Sequence, residues 1–204
     1  MSETDSTLLD QLRQIGALKS GHFLLSSGRH APEYLEKFDL LRDPRLTERV
    51  CRRFVDAMRD RRVDVVVGPT TGGILIAFEV ARQLGVPAAY AERRSGAGAA
   101  REIRRGTTFR PGVRVLVVDD ILTTGGSVRE TLAALKPHEV EIVAIAVLVD
   151  RSGGAAEFDF PMVALSTLEL ETWAEDACPL CHRAVPLVKP GTTTLPGSQR
   201  ISPA

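Results

Sequence analysis

The residues best suited to chemistry lie in one run, Val115-Leu116-Val117-Val118-Asp119-Asp120-Ile121-Leu122-Thr123-Thr124-Gly125-Gly126-Ser127. Its apolar start, paired acids and Thr/Gly/Ser loop have different uses. Amides and hydroxyls of residues 123–127 can cradle a phosphate, because glycine leaves the amides unobstructed. Adjacent carboxylates beside a phosphate would repel it unless they hold sugar hydroxyls or a cation between them. A tight turn with Asp120 as a surface acid is the plain alternative; the whole thirteen-residue pattern argues against it. A second loop, Gly68-Pro69-Thr70-Thr71-Gly72-Gly73, has the same character. Alone it is a common turn after a strand, but one strand earlier it can face the other end of the same ligand.

Such loops need strands behind them and helices ahead. Residues 63–67, 113–118 and 140–149 are apolar, mostly β-branched runs, whereas residues 74–84 and the stretch that follows the loop of residues 123–127, to about Leu135, read as helices. Near-continuous apolar strands alternating with helices predict an α/β fold, with a mainly parallel central sheet covered on both faces. Ligands then bind beyond the carboxyl ends of the strands, where helix N-termini add partial positive charge. Upstream, residues 6–19 carry Leu8, Leu9, Leu12, Ile15 and Leu18 at helical spacing. Residues 21–41 have a strand-and-turn texture. Asp43-Pro44 predicts an N-cap for a helix running to about Asp60 that buries Leu46, Val50, Phe54 and Met58. The chain reads as one domain over residues 1–190. Residues 191–204 close a stretch rich in Pro, Gly, Thr and Ser and are expected to form a mobile tail. There is no repeat at solenoid spacing.

Composition restricts the function classes. Lys plus Arg equal Asp plus Glu at 26 each, so no global field draws the chain to nucleic acid or to an anionic membrane. An anionic ligand must be caught locally. No apolar run reaches the roughly 20 residues that span a bilayer. The polar start lacks a signal-peptide core, and three cysteines are too few for a disulfide framework, so the expectation is a cytoplasmic protein.

The run from Val115 to Ser127 resembles the ribose-5-phosphate signature of type I phosphoribosyltransferases, and residues 68–73 resemble their pyrophosphate loop. Three further segments are similar to the orotate phosphoribosyltransferases. Gly21-His22-Phe23-Leu24-Leu25-Ser26-Ser27-Gly28-Arg29-His30 with Ala31-Pro32-Glu33-Tyr34 resembles their hood over the base. Ala91-Glu92-Arg93-Arg94 falls where their mobile loop begins, and Val149-Asp150-Arg151 where an arginine meets the base carbonyls. The resemblance covers about residues 8–191. It implies the type I fold with a small N-terminal hood, built from about residues 20–42 and the C-terminal part. It also implies transfer of a phosphoribosyl group from 5-phosphoribosyl 1-diphosphate to orotate, giving orotidine 5′-monophosphate in pyrimidine synthesis. The implied cofactor is Mg²⁺, held through substrate and water near Asp119 and Asp120. The implied assembly is a homodimer with a shared active site.

The roles carried over by the resemblance are these. Asp119, Asp120, Arg93 and Arg94 are catalytic, and Thr123, Thr124, Gly125, Gly126 and Ser127 take the 5-phosphate. Thr70, Thr71, Gly72, Gly73 and Arg93 take the pyrophosphate, with Arg101, Arg104 or Arg105 as further cations. Ser27, Gly28, Arg29, Tyr34, Thr123 and Arg151 take orotate, whose carboxylate suits a fork-shaped donor. Taken singly, Ser26 to Gly28 reads better as a turn and Tyr34 as a core aromatic, and Arg151 reads also as an ordinary strand-end cation.

The sequence also departs from that pattern. Many family members carry Lys and His in the mobile loop. Here Ser95-Gly96-Ala97-Gly98-Ala99-Ala100-Arg101-Glu102-Ile103 has neither, and Ser26 stands where a basic residue is common. Arginine supplies charge but is no general acid near neutral pH. Either the chemistry proceeds by electrostatics and positioning, or activity is low, or the base differs. Two alternatives therefore stand beside the main reading: a transferase for a purine, and a regulator that binds without turnover. Finally, Cys178-Pro179-Leu180-Cys181-His182 offers at most three metal ligands where zinc needs about four, with Cys51 or His30 as remote candidates. It reads as a C-terminal turn with two reduced, partly buried thiols.

Overall fold

The computed structural model describes residues 7–25, 27–94 and 100–190. The expected tail, residues 191–204, lies outside these. Contacts divide the chain into two compact units, Met1–Leu40 with Glu169–Ala204, and Leu41–Leu168.

In the first unit, helix α1 (Leu8–Gln14) opens with a reciprocal cap between Thr7 and Asp10. It is shorter than its periodicity predicts, because Gly16 takes a left-handed φ of 71° and Leu18 already belongs to a strand. Strands β1 (Leu18–Leu24) and β2 (His30–Leu35) form an antiparallel hairpin with an irregularity between Ser20 and Phe23. The short helix α2 (Lys37–Leu41) follows in the chain. Residues from the C-terminal part join the hairpin: the amide of Leu24 donates to Val188 and that of Val188 to His22, while His30 and Trp173 exchange two backbone bonds.

This unit contains a buried ion pair. Lys19 Nζ lies 2.9 Å from Asp39 Oδ2, and both side chains are almost wholly enclosed. Removing one partner strands the other charge, so Asp39→Ala should cost about 3–5 kcal/mol of stability, whereas Lys19→Met with Asp39→Leu should recover most of it. Urea denaturation of the three chains checks both expectations.

In the second unit, helix α3 (Pro44–Ala57) starts as its sequence predicts, with the Asp43 carboxylate accepting from the amides of Arg45 and Leu46. It buries Leu46, Val50 and Phe54, and Met58 packs just beyond its end. The sheet comprises β3 (Val65–Pro69), β4 (Ala88–Arg93), β5 (Arg101–Ile103), β6 (Arg114–Leu122), β7 (Glu141–Asp150) and β8 (Met162–Thr167), in spatial order β5-β4-β3-β6-β7-β8. All neighbours are parallel except β4 and β5. Helix α4 (Gly72–Leu84) follows β3, and α5 (Gly126–Leu135) follows β6. The central strands β3 and β6 are buried on both faces, as the unbroken apolar runs Val65–Val67 and Val115–Val118 require. The core gathers Val65, Val67, Val115, Val117, Ile145 and Val147. No helix among the described residues is long and apolar enough to cross a membrane.

Candidate active site

Adjacent parallel strands β3 and β6 each run straight into a helix, so their two loops leave the sheet side by side. Asp119 and Asp120 lie within β6, which runs two residues past Asp120, whereas the sequence predicts that the acids close the strand. The ladder to β7 continues through Asp119 and Leu122, which explains the extension. Both acids are 4% exposed.

Each carboxylate is tied to backbone. Asp119 accepts from the amide of Asp120 at 2.8 Å and from the Ser127 hydroxyl at 2.5 Å, and Asp120 accepts from the amide of Ile121 at 2.6 Å. The Ser127 hydroxyl, expected on a phosphate, is thus engaged by Asp119 and locks the acid to the start of α5. Thr123 and Thr124 are exposed. Gly125 takes φ +78°, and a Cβ there would collide with Arg129, whose guanidinium stacks over Phe158 and donates to the Thr124 carbonyl. Neither α4 nor α5 has a side chain capping its N-terminus. First-turn amides at both ends therefore retain donor capacity suited to an anion.

The loop of residues 68–73 is built by close approach. A Cβ on Gly68 would overlap the carbonyl of Gly73, and one on Gly72 would overlap Oδ2 of Asp120. The Asp120 carboxylate near the end of β6 thus rests against the backbone of the β3 loop. The Thr70–Thr71 peptide is cis.

Arg101 braces this loop from β5. Its guanidinium donates to the Thr70 hydroxyl at 2.8 Å, to the Thr70 carbonyl at 3.1 Å and to the Ala91 carbonyl at 3.0 Å. It is 7% exposed. Burial, and next the nearby Arg93, pull its pKa below the ordinary arginine value, while Glu130 opposes them. Glu130 of α5 lies 3.1 Å from Arg93 and 3.2 Å from Arg101, so one acid holds two cations beside the loop. Glu130 gives no signal in the sequence, since a glutamate at the fifth position of a helix looks like an ordinary solvated charge. The remaining arginines expected near pyrophosphate pair elsewhere: Arg94 and Arg104 with Glu102, and Arg105 with Glu92. Of the segment that falls where the family has its mobile loop, residues 95–99 lie outside the described part.

The expected base-contacting residues fall in both units. Arg151 follows the last residue of β7, its amide donating to the Leu122 carbonyl at 2.7 Å, which ties it to the strand that carries the acids. In the first unit Ser27 and Gly28 form the hairpin turn, with Gly28 at φ +78°. Arg29 donates to the Thr172 hydroxyl and carbonyl at 2.9 and 2.6 Å. Tyr34 packs against Phe23, with ring centroids 5.7 Å apart.

The profile described as "Phosphoribosyl transferase domain" matches residues 40–183. An orotate phosphoribosyltransferase of Caldicellulosiruptor bescii is 42% identical over 184 residues, covering 90% of this chain and 95% of that protein. The chain belongs to the orotate phosphoribosyltransferase family. A relative of the same name from Methylorubrum extorquens is 44% identical over 195 residues, covering 95% of this chain and 98% of its own. The crystal structure of orotate phosphoribosyltransferase from Aeropyrum pernix superposes with a TM-score of 0.69 at 31% identity, over 79% of this chain and 94% of that one. The α/β fold expected from the strand rhythm is thus the type I phosphoribosyltransferase fold.

Within this orotate phosphoribosyltransferase family member, Cys178 and Cys181 are free thiols at a short C-terminal helical turn, as the sequence predicts, and the fold brings histidines beside them. Cys178 is buried and Cys181 half-buried, and His22 and His30 stand beside them. His182 turns away toward the Asp176 carbonyl at 3.2 Å. Burial, then its hydrogen bond to Cys178, pushes the Cys181 thiol above its ordinary value. Cys51 is enclosed within α3, and burial pushes its thiol up to about 12, which marks it as inert. His22 carried no signal as a partner for these thiols, since only the fold brings it near.

Proposed function

We propose that this chain transfers the 5-phosphoribosyl group of 5-phosphoribosyl 1-diphosphate to orotate, releasing diphosphate and orotidine 5′-monophosphate. The observation that carries the reading is the seating of Asp120 against Gly72, which brings the acids of one glycine-rich loop to the backbone of the other. A sugar bearing phosphate at one end and diphosphate at the other matches that arrangement.

On this reading the amides of residues 123–127 hold the 5-phosphate at the start of α5, and the loop of residues 70–73 meets the diphosphate. Asp119, pinned by Ser127, and Asp120 orient the ribose hydroxyls. The bond from the anomeric carbon to diphosphate breaks as the orotate nitrogen closes on the opposite face. Positioning and charge stabilisation are the chain's main contributions. Arg93 supplies positive charge toward the departing diphosphate, and Arg101 keeps the loop's carbonyl and hydroxyl in register. Ser27, Gly28, Arg29, Tyr34 and Arg151 are assigned to the base. Oxygen donors at Asp119 and Asp120 suit a hard cation such as Mg²⁺, which when bound neutralises charge on the diphosphate. A homodimer belongs to the same reading, supported by the exposed Leu75 and Phe78 of α4.

The purine alternative is decided by incubating the enzyme with the sugar diphosphate, Mg²⁺ and each of orotate, uracil, adenine, guanine and xanthine, with products identified by mass. Orotidine 5′-monophosphate should be the dominant product. A purine nucleotide in its place would overturn the assignment of the base, and tight binding without any product would favour a regulator.

A further inference from the structure

We propose that His22, His30, Cys178 and Cys181 bind one zinc ion in a closed tetrahedral site. One potential ligand atom from each residue lies within 4.8 Å of all the others. Cys178 Sγ is 3.5 Å and Cys181 Sγ 3.8 Å from His22 Nε2; Cys181 Sγ is 3.3 Å and His22 Nε2 2.9 Å from His30 Nδ1. Ordinary zinc–sulfur and zinc–nitrogen lengths give a tetrahedron with S–N edges of about 3.6 Å and an N–N edge of about 3.4 Å. The three S–N separations bracket that edge. The two imidazoles need to part by only about 0.5 Å.

Protonation supports a cation at the centre. His22 Nδ1 lies 2.8 Å from the carbonyl of Val185, which can only accept, so Nδ1 carries the proton and Nε2 presents its lone pair inward. A backbone carbonyl on the outer nitrogen is the usual way a metal-binding histidine is held in its tautomer. Around that lone pair converge His30 Nδ1 and both sulfurs. Hydrogen bonding satisfies such a group only partly, because thiols are weak donors. One ion accepts a lone pair from all four.

The site is also enclosed. His22 and His30 are 2% exposed and Cys178 0%, so water has little access to compete. A tetrahedral pair of thiolates with a pair of imidazoles selects zinc among common divalent ions and leaves no open position, which marks the site as structural. Two separate regions of the chain supply the ligands: the β1–β2 hairpin gives the histidines and the turn at residues 178–181 gives the cysteines. Cys181 and His30 are 151 residues apart in sequence. Backbone bonds already hold those segments, from Val188 to His22 and between His30 and Trp173. Zinc would therefore fasten a frame that the backbone has shaped, and with it the turn at Ser27 and Gly28.

The test uses the full-length chain and does not depend on turnover. Protein expressed with added zinc, purified without chelator and dialysed should retain about one zinc per chain by mass spectrometry of the metal. Cys178→Ser with Cys181→Ser should retain almost none. Titrating metal-stripped wild type with Co²⁺ should give the intense visible absorption of a tetrahedral thiolate site, and it needs no variant to fold. The proposal is overturned by wild type that holds no more zinc than the double variant, by a weak octahedral cobalt spectrum, or by a Cys178–Cys181 disulfide in freshly purified protein.

Discussion

Asp120→Asn should lower kcat/KM roughly 10²–10³-fold, the usual scale for losing one preorganised charge contact. The side chain keeps its shape, and its amide oxygen can still accept from Ile121, so thermal unfolding should move little. The loss should fall on both substrates' kcat/KM, because the residue is assigned to the sugar they share at the transition state. Asp119→Asn should behave differently. Asp119 also accepts from Ser127 and from the amide of Asp120, so both activity and stability should fall. Steady-state kinetics and differential scanning calorimetry on the two variants separate these outcomes. An Asp120→Asn enzyme with full activity would contradict the role given to it.

Gly72→Ala should be nearly as damaging, although it removes no functional group. The new methyl would occupy the space of Asp120 Oδ2, with Leu41 close on another side. Either the acid or the loop must move, and a displacement on the order of 1 Å at a reacting centre costs about a hundredfold in rate. Overpacking adds about 1–3 kcal/mol of destabilisation. The variant is informative because it tests contact between the two loops and not the chemistry of either. Equal activity in Gly72→Ala and wild type would mean that the loops work apart.

How much of this was readable beforehand differs by region. The strands leading to both loops announced themselves through unbroken β-branched runs, because burial on both faces leaves no room for alternation. The motif from Val115 to Ser127 located the acids within two residues of where the sheet holds them. What escaped was non-local. Glu130 clasping Arg93 and Arg101 depends on α5 crossing the end of β5, and no spacing in the sequence encodes that crossing. Arg101, expected as a cation near pyrophosphate, donates to Thr70 and Ala91, since its burial demands partners for its donors. The first helix was drawn too long because Leu18 continues an apolar period that Gly16 has already ended. Cys178 and Cys181 looked like half of a metal site for a related reason: their nearest histidines lie on a hairpin far away in sequence.

On this reading, adjacent strand ends form one receptor for a doubly phosphorylated sugar. Isothermal titration of 5-phosphoribosyl 1-diphosphate with Mg²⁺ into the wild-type chain tests it most directly. The expected result is saturable binding at one site per chain, greatly weakened in Gly72→Ala and unaffected by competing neutral ribose. A flat titration with the wild type, or binding that Gly72→Ala leaves unchanged, would contradict it.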